Sequence, residues 1–207
     1  MDTTSSNSSA RGRNPRGQGE RLRRDIIGAT LRMLNELGDD EALSLRAVAR
    51  EVGIAATSVY IHFSDRDALV FAALEQCTLD LMRDLDRAES ASGDPVAQLR
   101  ARLLYLATWV RDHAGLYKVL HESTLNRRMH LVFKEELAVR TGAAVQRCMD
   151  AGLAPAADAA TVALDLRAAV HGAVSIRVNE PGLALPPLEE QIDRYLTKIV
   201  GVSLATG

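Results

Sequence analysis

The chain has 207 residues, 47% of them apolar, with a formal net charge of −2. That length and composition suffice for a sizeable core, as one globular body or as a small head on a larger helical domain. The near-neutral balance excludes any argument for nucleic-acid binding from global charge.

The charge is placed unevenly. Residues 1–24 carry six arginines against Asp2 and Glu20, a local charge of +4 that leaves −6 on the remainder. A positive arm on an acidic body is expected if only one end meets phosphates. The opening MDTTSSNSSA is polar and lacks an apolar signal segment, and no apolar run approaches the roughly 20 residues that span a bilayer. A cytoplasmic location follows as an expectation, with Cys77 and Cys148 as buried, reduced thiols.

In chain order, residues 1–18 are rich in Ser, Arg and Gly and read as a disordered basic arm. From 19 to 37, Leu22, Ile26, Ile27, Ala29, Leu31, Leu34 and Leu37 recur at helical spacing, and Gly38 is a plausible stop. Residues 44–63 hold two short helices around Gly53, completing a three-helix head over 19–64. Ser64 with Asp67 has the spacing of a capping box for a long helix over 65–89. Asp94-Pro95 opens the next helix, with a proline where the missing N–H costs nothing. Gly115 is expected to divide it from a short helix ending near His121. Further helices are expected over 125–151, 158–178 and 187–203, with Gly152 and Pro186-Pro187 at the breaks. The reading is all-α, about nine helices, with residues 65–207 forming the larger domain.

The stretch 44–69, SLRAVAREVGIAATSVYIHFSDRDAL, carries the most information. Leu45, Val48 and Ala49 share a helix face, Gly53 supplies a turn that a Cβ would hinder, and Val59, Tyr60 and Phe63 resume the spacing. A helix–turn–helix of this size places its second helix in the DNA major groove. The run Gly53 to Phe63, with Arg66 to Leu69 after it, resembles the DNA-binding signature of the tetracycline-repressor (TetR) family. It matches at Gly53, Tyr60, His62, Phe63 and Leu69, with conservative changes at Ile54, Val59, Arg66 and Asp67. It departs at Ala55, where the family often has a capping Ser, and at Thr57, where Gly is common. Thr57 or Ser58 is then left as the alternative cap. The resemblance also implies nine helices.

On the second helix, Ala56, Thr57, Ser58 and Ile61 are the candidates to face base edges. They are small or apolar, suited to thymine methyls and one or two hydroxyl hydrogen bonds. The resemblance implies phosphate contacts for Tyr60 and His62; Phe63 reads as core, and Tyr60 has a core alternative. Arg66 is expected at a phosphate, Ser44 at a phosphate while capping, with Arg46 beside it. Such contacts set register and not sequence. The Arg11–Arg16 arm either follows the DNA or is a solubilising tail.

For the larger domain, the resemblance implies a small-molecule effector site and a homodimer on a palindromic operator. Two half-sites about 34–36 Å apart require two heads on one symmetry axis. Helix 158–178 is apolar on almost every side and must be covered on both. With the last helix it gives an expected interface of Val162, Leu166, Ala169, Val170, Gly172, Ala173, Leu188, Ile192, Tyr195, Leu196 and Ile199; the alternative is that these helices bury only against their own domain. Trp109, His113, Tyr117 and His121 stand four residues apart, and with Tyr105, Met129, Phe133 and His171 form the candidate effector site. No cofactor, metal or catalytic residue is assigned: G-x-S-x-G, the P-loop, G-x-G-x-x-G, H-E-x-x-H and paired C-x-x-C are all absent. The expected activity is transcriptional repression released by a small molecule. The alternatives are a helical module acting through a protein partner, or an unusual hydrolase.

Overall fold

The computed structural model describes residues 18–125 and 132–204, the side chains of 132–134 excepted. Among these residues there are nine α-helices and no strand. The arginines at 11, 13 and 16, Met129 and the Phe133 side chain lie outside the described part.

The head is built from α1 (Gln18–Leu37), α2 (Leu45–Val52) and α3 (Ala56–His62). Gly38 ends α1 at φ 64° and Gly53 ends α2 at φ 77°, left-handed conformations in which a side chain would be strained. Ser44 caps α2: its hydroxyl accepts the Ala47 N–H at 3.1 Å. The N-cap of α3 is Ala55, with no side-chain bond, so neither Thr57 nor Ser58 takes the role.

Helix α4 (Arg66–Ser90) runs from head to body. Its cap is Asp65, whose carboxylate accepts the Ala68 N–H at 2.8 Å. The expected Ser64/Asp67 capping box does not form. Ser64 donates to Asp65, and Asp67 pairs with Arg66. Asp65 is a stronger acceptor than a serine hydroxyl and sits one residue nearer the helix, so it displaces Ser64 from the role.

Helices α5 (Pro95–Asp112) and α6 (Ala114–Glu122) divide at His113, two residues before Gly115. His113 leaves helical geometry at φ −130°, and both its backbone N–H and its Nδ1 lie 2.9 Å from the Trp109 carbonyl, closing the end of α5. Gly115 serves a different end. It lets α6 approach α1 so closely that a Cβ there would overlap the Asn35 backbone.

The remainder comprises α7 (Val132–Asp150), α8 (Ala159–Asn179, capped by Asp158) and α9 (Leu188–Tyr195). The last expected helix is thus shorter, passing into a π turn over Leu196–Val200 that Gly201 closes at φ 79°.

Two main cores result. One joins the head to the start of α4 and to α6: Ile26, Val48, Val59, Phe63, Leu69 and Leu74 pack with Leu116, Val119 and Leu120. The other gathers α5, α7, α8, α9 and the π turn around Leu99, Val145, Leu166, Ile192 and Leu196. The apolar packing of the head therefore crosses the expected boundary at residue 64.

Against expectation, one helix, α8, is long and apolar enough to cross a membrane by length and composition. Its Ala163, Leu166, Val170, Ala173 and Val174 are buried against the rest of the chain, while Asp165 and Arg167 are exposed.

Candidate nucleic-acid interface

Within the head, Val59 is fully buried and Phe63 is 4% exposed, with the Arg23 guanidinium 5.1 Å above the Phe63 ring. These two residues anchor α3, and its opposite face is bare. Ile61 is 80% exposed and Tyr60 55%; Thr57 is exposed too. Ile61 and Tyr60 thus leave a large apolar and an aromatic side chain side by side on α3, open to contact from outside the chain. Tyr60 is not core, so its alternative falls. Ala56, Ser58 and His62 are half-buried along the flanks.

Beside this face lies a depression of about 410 Å³ lined by Leu43, Ser44, Leu45, Arg46, Tyr60, Ser64, Asp65 and Arg66. The exposed Ser44 and Arg46 at the start of α2 stand next to Tyr60, which suits a phosphate-sized anion. Arg66 is less free than the sequence suggests. Its guanidinium is 3.0 Å from Asp67 and donates to the Glu41 carbonyl at 3.3 Å. Among the expected contact residues, Ser44, Arg46, Thr57, Tyr60 and Ile61 share one exposed region, and Arg66 borders it from a half-buried position.

The candidate effector residues divide into groups. Trp109 stacks on His113 with ring centroids 4.7 Å apart and planes 15° from parallel. Tyr117, His121 and His171 form a ring triangle with centroids 4.5, 4.6 and 5.6 Å apart. The Tyr117 hydroxyl lies 2.5 Å from His171 Nδ1, joining α6 to α8. Burial pushes the Tyr117 phenol well above its ordinary value, so it stays protonated. Tyr105 turns away from both groups: its hydroxyl donates to Asp84 on α4 at 3.0 Å.

The interface expected from the last two helices needs correction. Leu166, Val170, Ala173, Ile192 and Leu196 are all buried in the chain's own core. They offer no surface to a partner, because α9 and the π turn fold onto α5 and α8 and consume that seam. Val162, Ala169, Gly172, Leu188, Tyr195 and Ile199 are half-buried. An open apolar surface lies between α7 and α8. A groove of about 560 Å³ is lined by Ala138, Val139, Gly142, Ala143, Ala160 and Leu164, among others. Val139 is 67% exposed, Leu164 54%, and Ile176 farther along α8 is 40% exposed. Over 138–143, Ala-Val-Arg-Thr-Gly-Ala, Val139 is the one large apolar side chain, so this face carries a weak sequence signal.

Comparison with known proteins agrees with this layout. Residues 26–73 match the family model described as bacterial regulatory proteins, tetR family. Residues 99–201 match the tetracyclin repressor-like C-terminal domain. An uncharacterized HTH-type transcriptional regulator of Haemophilus influenzae is 39% identical over 83 residues, which cover 39% of this chain and 40% of that one. A protein of unknown function from Rhodococcus sp. RHA1 has a similar structure, with a TM-score of 0.72 and 25% identity over 91% of this chain and 100% of that one. SmeT, the repressor of the Stenotrophomonas maltophilia multidrug efflux pump SmeDEF, shares the fold with a TM-score of 0.68. It is 24% identical over 84% of this chain and 88% of that one. SmeT has also been solved as a complex with triclosan, with a TM-score of 0.67 and 23% identity over 86% of this chain and 90% of that chain. With a head that presents one bare helix and a body of helices behind it, both matched to the same family, the chain belongs to the tetR family of bacterial regulatory proteins.

Proposed function

We propose that the chain is a cytoplasmic, homodimeric, DNA-binding transcriptional repressor, released from a palindromic operator by a small-molecule effector, and that it catalyses no reaction. The observation that carries this reading is the pairing on α3 of buried Val59 and Phe63 with exposed Thr57, Tyr60 and Ile61. Thr57 and Ile61 meet base edges, favouring thymine methyls. Tyr60, Ser44 and Arg46 hold phosphates.

The second copy sits on the α7–α8 groove. Val139, Leu164 and Ile176 then become covered, and α8 is apolar on both sides because one side meets its own core and the other its partner. The effector binds beside Trp109, His113, Tyr117, His121 and His171. Flat ring faces on α6 and α8 favour a planar aromatic molecule, and triclosan, bound by SmeT, is a reasonable first probe.

The test is retardation of the DNA flanking the gene by purified protein, followed by a screen of aromatic compounds for release. A discrete complex holding two chains, dissolved by one compound class, supports the reading. Retardation that random competitor abolishes removes it.

A further inference from the structure

Among the described residues Arg102 is the largest side chain that is fully buried, at 2% exposure, and it stands within the apolar stripe of α5 between Leu99 and Leu103. A buried guanidinium is costly to desolvate and needs charge partners. Both of its partners come from the last turns of α4. Nη1 donates to Glu89 at 2.9 Å and lies 3.7 Å from Asp86. Nη2 is buried with no hydrogen-bond partner.

The same two acids are gripped from α7. Arg147 donates to the other oxygen of Glu89 at 2.9 Å, and Arg140 donates to Asp86 at 2.5 Å. Three arginines from two body helices thus hold two acids at the end of α4.

The position of this cluster gives it a role. The first half of α4 is part of the head: Leu69, Val70, Ala73, Leu74 and Cys77 lie in the head core. On α7, Val139, Gly142, Ala143 and Gln146 line the outer groove while Arg140 and Arg147 reach α4. The cluster is therefore the polar tie between the groove helix and the helix that carries the head.

We propose that Glu89 and Asp86, held by Arg102, Arg140 and Arg147, form an ionic latch that sets the angle of α4, and with it the spacing of the two heads in the dimer. This rests on the regulator reading above. Arg102 is fastened through Nη1 alone, with Asp86 only 0.8 Å farther than Glu89. The guanidinium can pass its main bond from one acid to the other without leaving the core, which provides a two-position element that an effector can bias.

The test uses Arg140→Gln/Arg147→Gln in the full chain. Both arginines are partly exposed, and the Arg102–Glu89 pair stays intact, so the fold is retained. Spin labels on Arg50→Cys in the head and Asp150→Cys at the end of α7 report the head–body distance, with labelled chains diluted into unlabelled ones to isolate the distance within one chain. The latch predicts a distance distribution at least twice as broad in the variant. It also predicts about tenfold weaker binding to the full palindrome, with less than twofold change on a single half-site. Glu89→Gln, which keeps an acceptor but loses the charge, should give the same pattern. An unchanged distance distribution in folded variants overturns the latch, as does an equal loss on palindrome and half-site. If the parent protein binds no DNA, the regulator reading fails, and the distance measurement still decides the latch.

Discussion

Gly115 is set against Asn35 so tightly that any side chain at 115 would overlap the Asn35 backbone carbonyl, while the next amide, Leu116 N–H, donates to the Asn35 side-chain oxygen at 3.2 Å. The start of α6 is thereby pinned to the end of α1. One face of α6 then supplies Leu116, Val119 and Leu120 to the head core. The other turns Tyr117 and His121 toward His171 on α8. A single nine-residue helix touches both the head and the candidate effector residues.

Gly115→Ala should therefore destabilise the protein by roughly 3 kcal/mol, at the upper end of overpacking costs, because the obstruction is backbone and cannot rotate away. Gly28→Ala is the contrast. Its added carbon would meet only the tip of Arg32 at 3.8 Å, in the middle of α1, and should stabilise by about 1 kcal/mol. Denaturant unfolding of both variants checks the pair. Equal effects would contradict the close approach.

The α7–α8 groove predicts the behaviour of charge placed on it. Leu164→Glu and Val139→Glu should leave the helical fold intact and convert a dimer to a monomer, measured by sedimentation. Leu166→Ala, two residues from Leu164 but fully buried, should instead lower stability by about 2–5 kcal/mol with no selective effect on association. A dimer that persists in both glutamate variants places the interface elsewhere.

On the DNA face, Tyr60→Ala should weaken binding to all sequences alike and leave its salt dependence nearly unchanged, as expected for an uncharged phosphate contact. Ile61→Ala and Thr57→Ala should act selectively, relaxing the preference at one or two base pairs with a cost of about 1–3 kcal/mol on the preferred site. Circular dichroism should show no unfolding for any of the three, since all are exposed. Loss of fold in Tyr60→Ala would restore the core role for that ring.

Helix caps give a pH dependence. Backbone and side-chain donors at the starts of α4 and α8 hold the Asp65 and Asp158 carboxyls below their ordinary value of 3.8. A carboxylate with a lowered folded value stabilises the native state above the unfolded value, and that contribution disappears as pH falls through the folded one. The thermal midpoint should therefore drop on acidification below about pH 4. In Asp65→Asn/Asp158→Asn, which retains capping oxygens without their charge, the acid slope should be shallower. An identical slope would show that these caps do not contribute.

The sequence made the helices and the head legible because their signals are local. Apolar spacing, Gly38, Gly53 and the caps at Ser44, Asp94 and Asp158 each act within a few residues. Anchored Phe63 and exposed Ile61 follow from the same spacing. The Ser64/Asp67 error arose where two adjacent residues could both cap, and strength of the acceptor decided. What lay beyond reach was tertiary. Nothing around Arg102 in sequence indicates that Glu89, 13 residues away, would pair with it, or that Arg147, 58 residues from Glu89, would hold that acid's other oxygen. The buried fate of Ile192 and Leu196 depends on α9 folding back onto α5, where Arg100 and Asp193 pair with a 3.0 Å bond. An amphipathic seam reads the same whether its cover is its own chain or a partner.

The central claim, that two copies of α3 read a palindrome, is tested most directly by footprinting the purified protein on the DNA flanking its gene across a salt series. The account predicts protection of two half-sites centred about 34–36 Å apart or a multiple of that, lost steeply as salt rises. Protection that spreads over unrelated DNA, or none beyond random competitor, would contradict it.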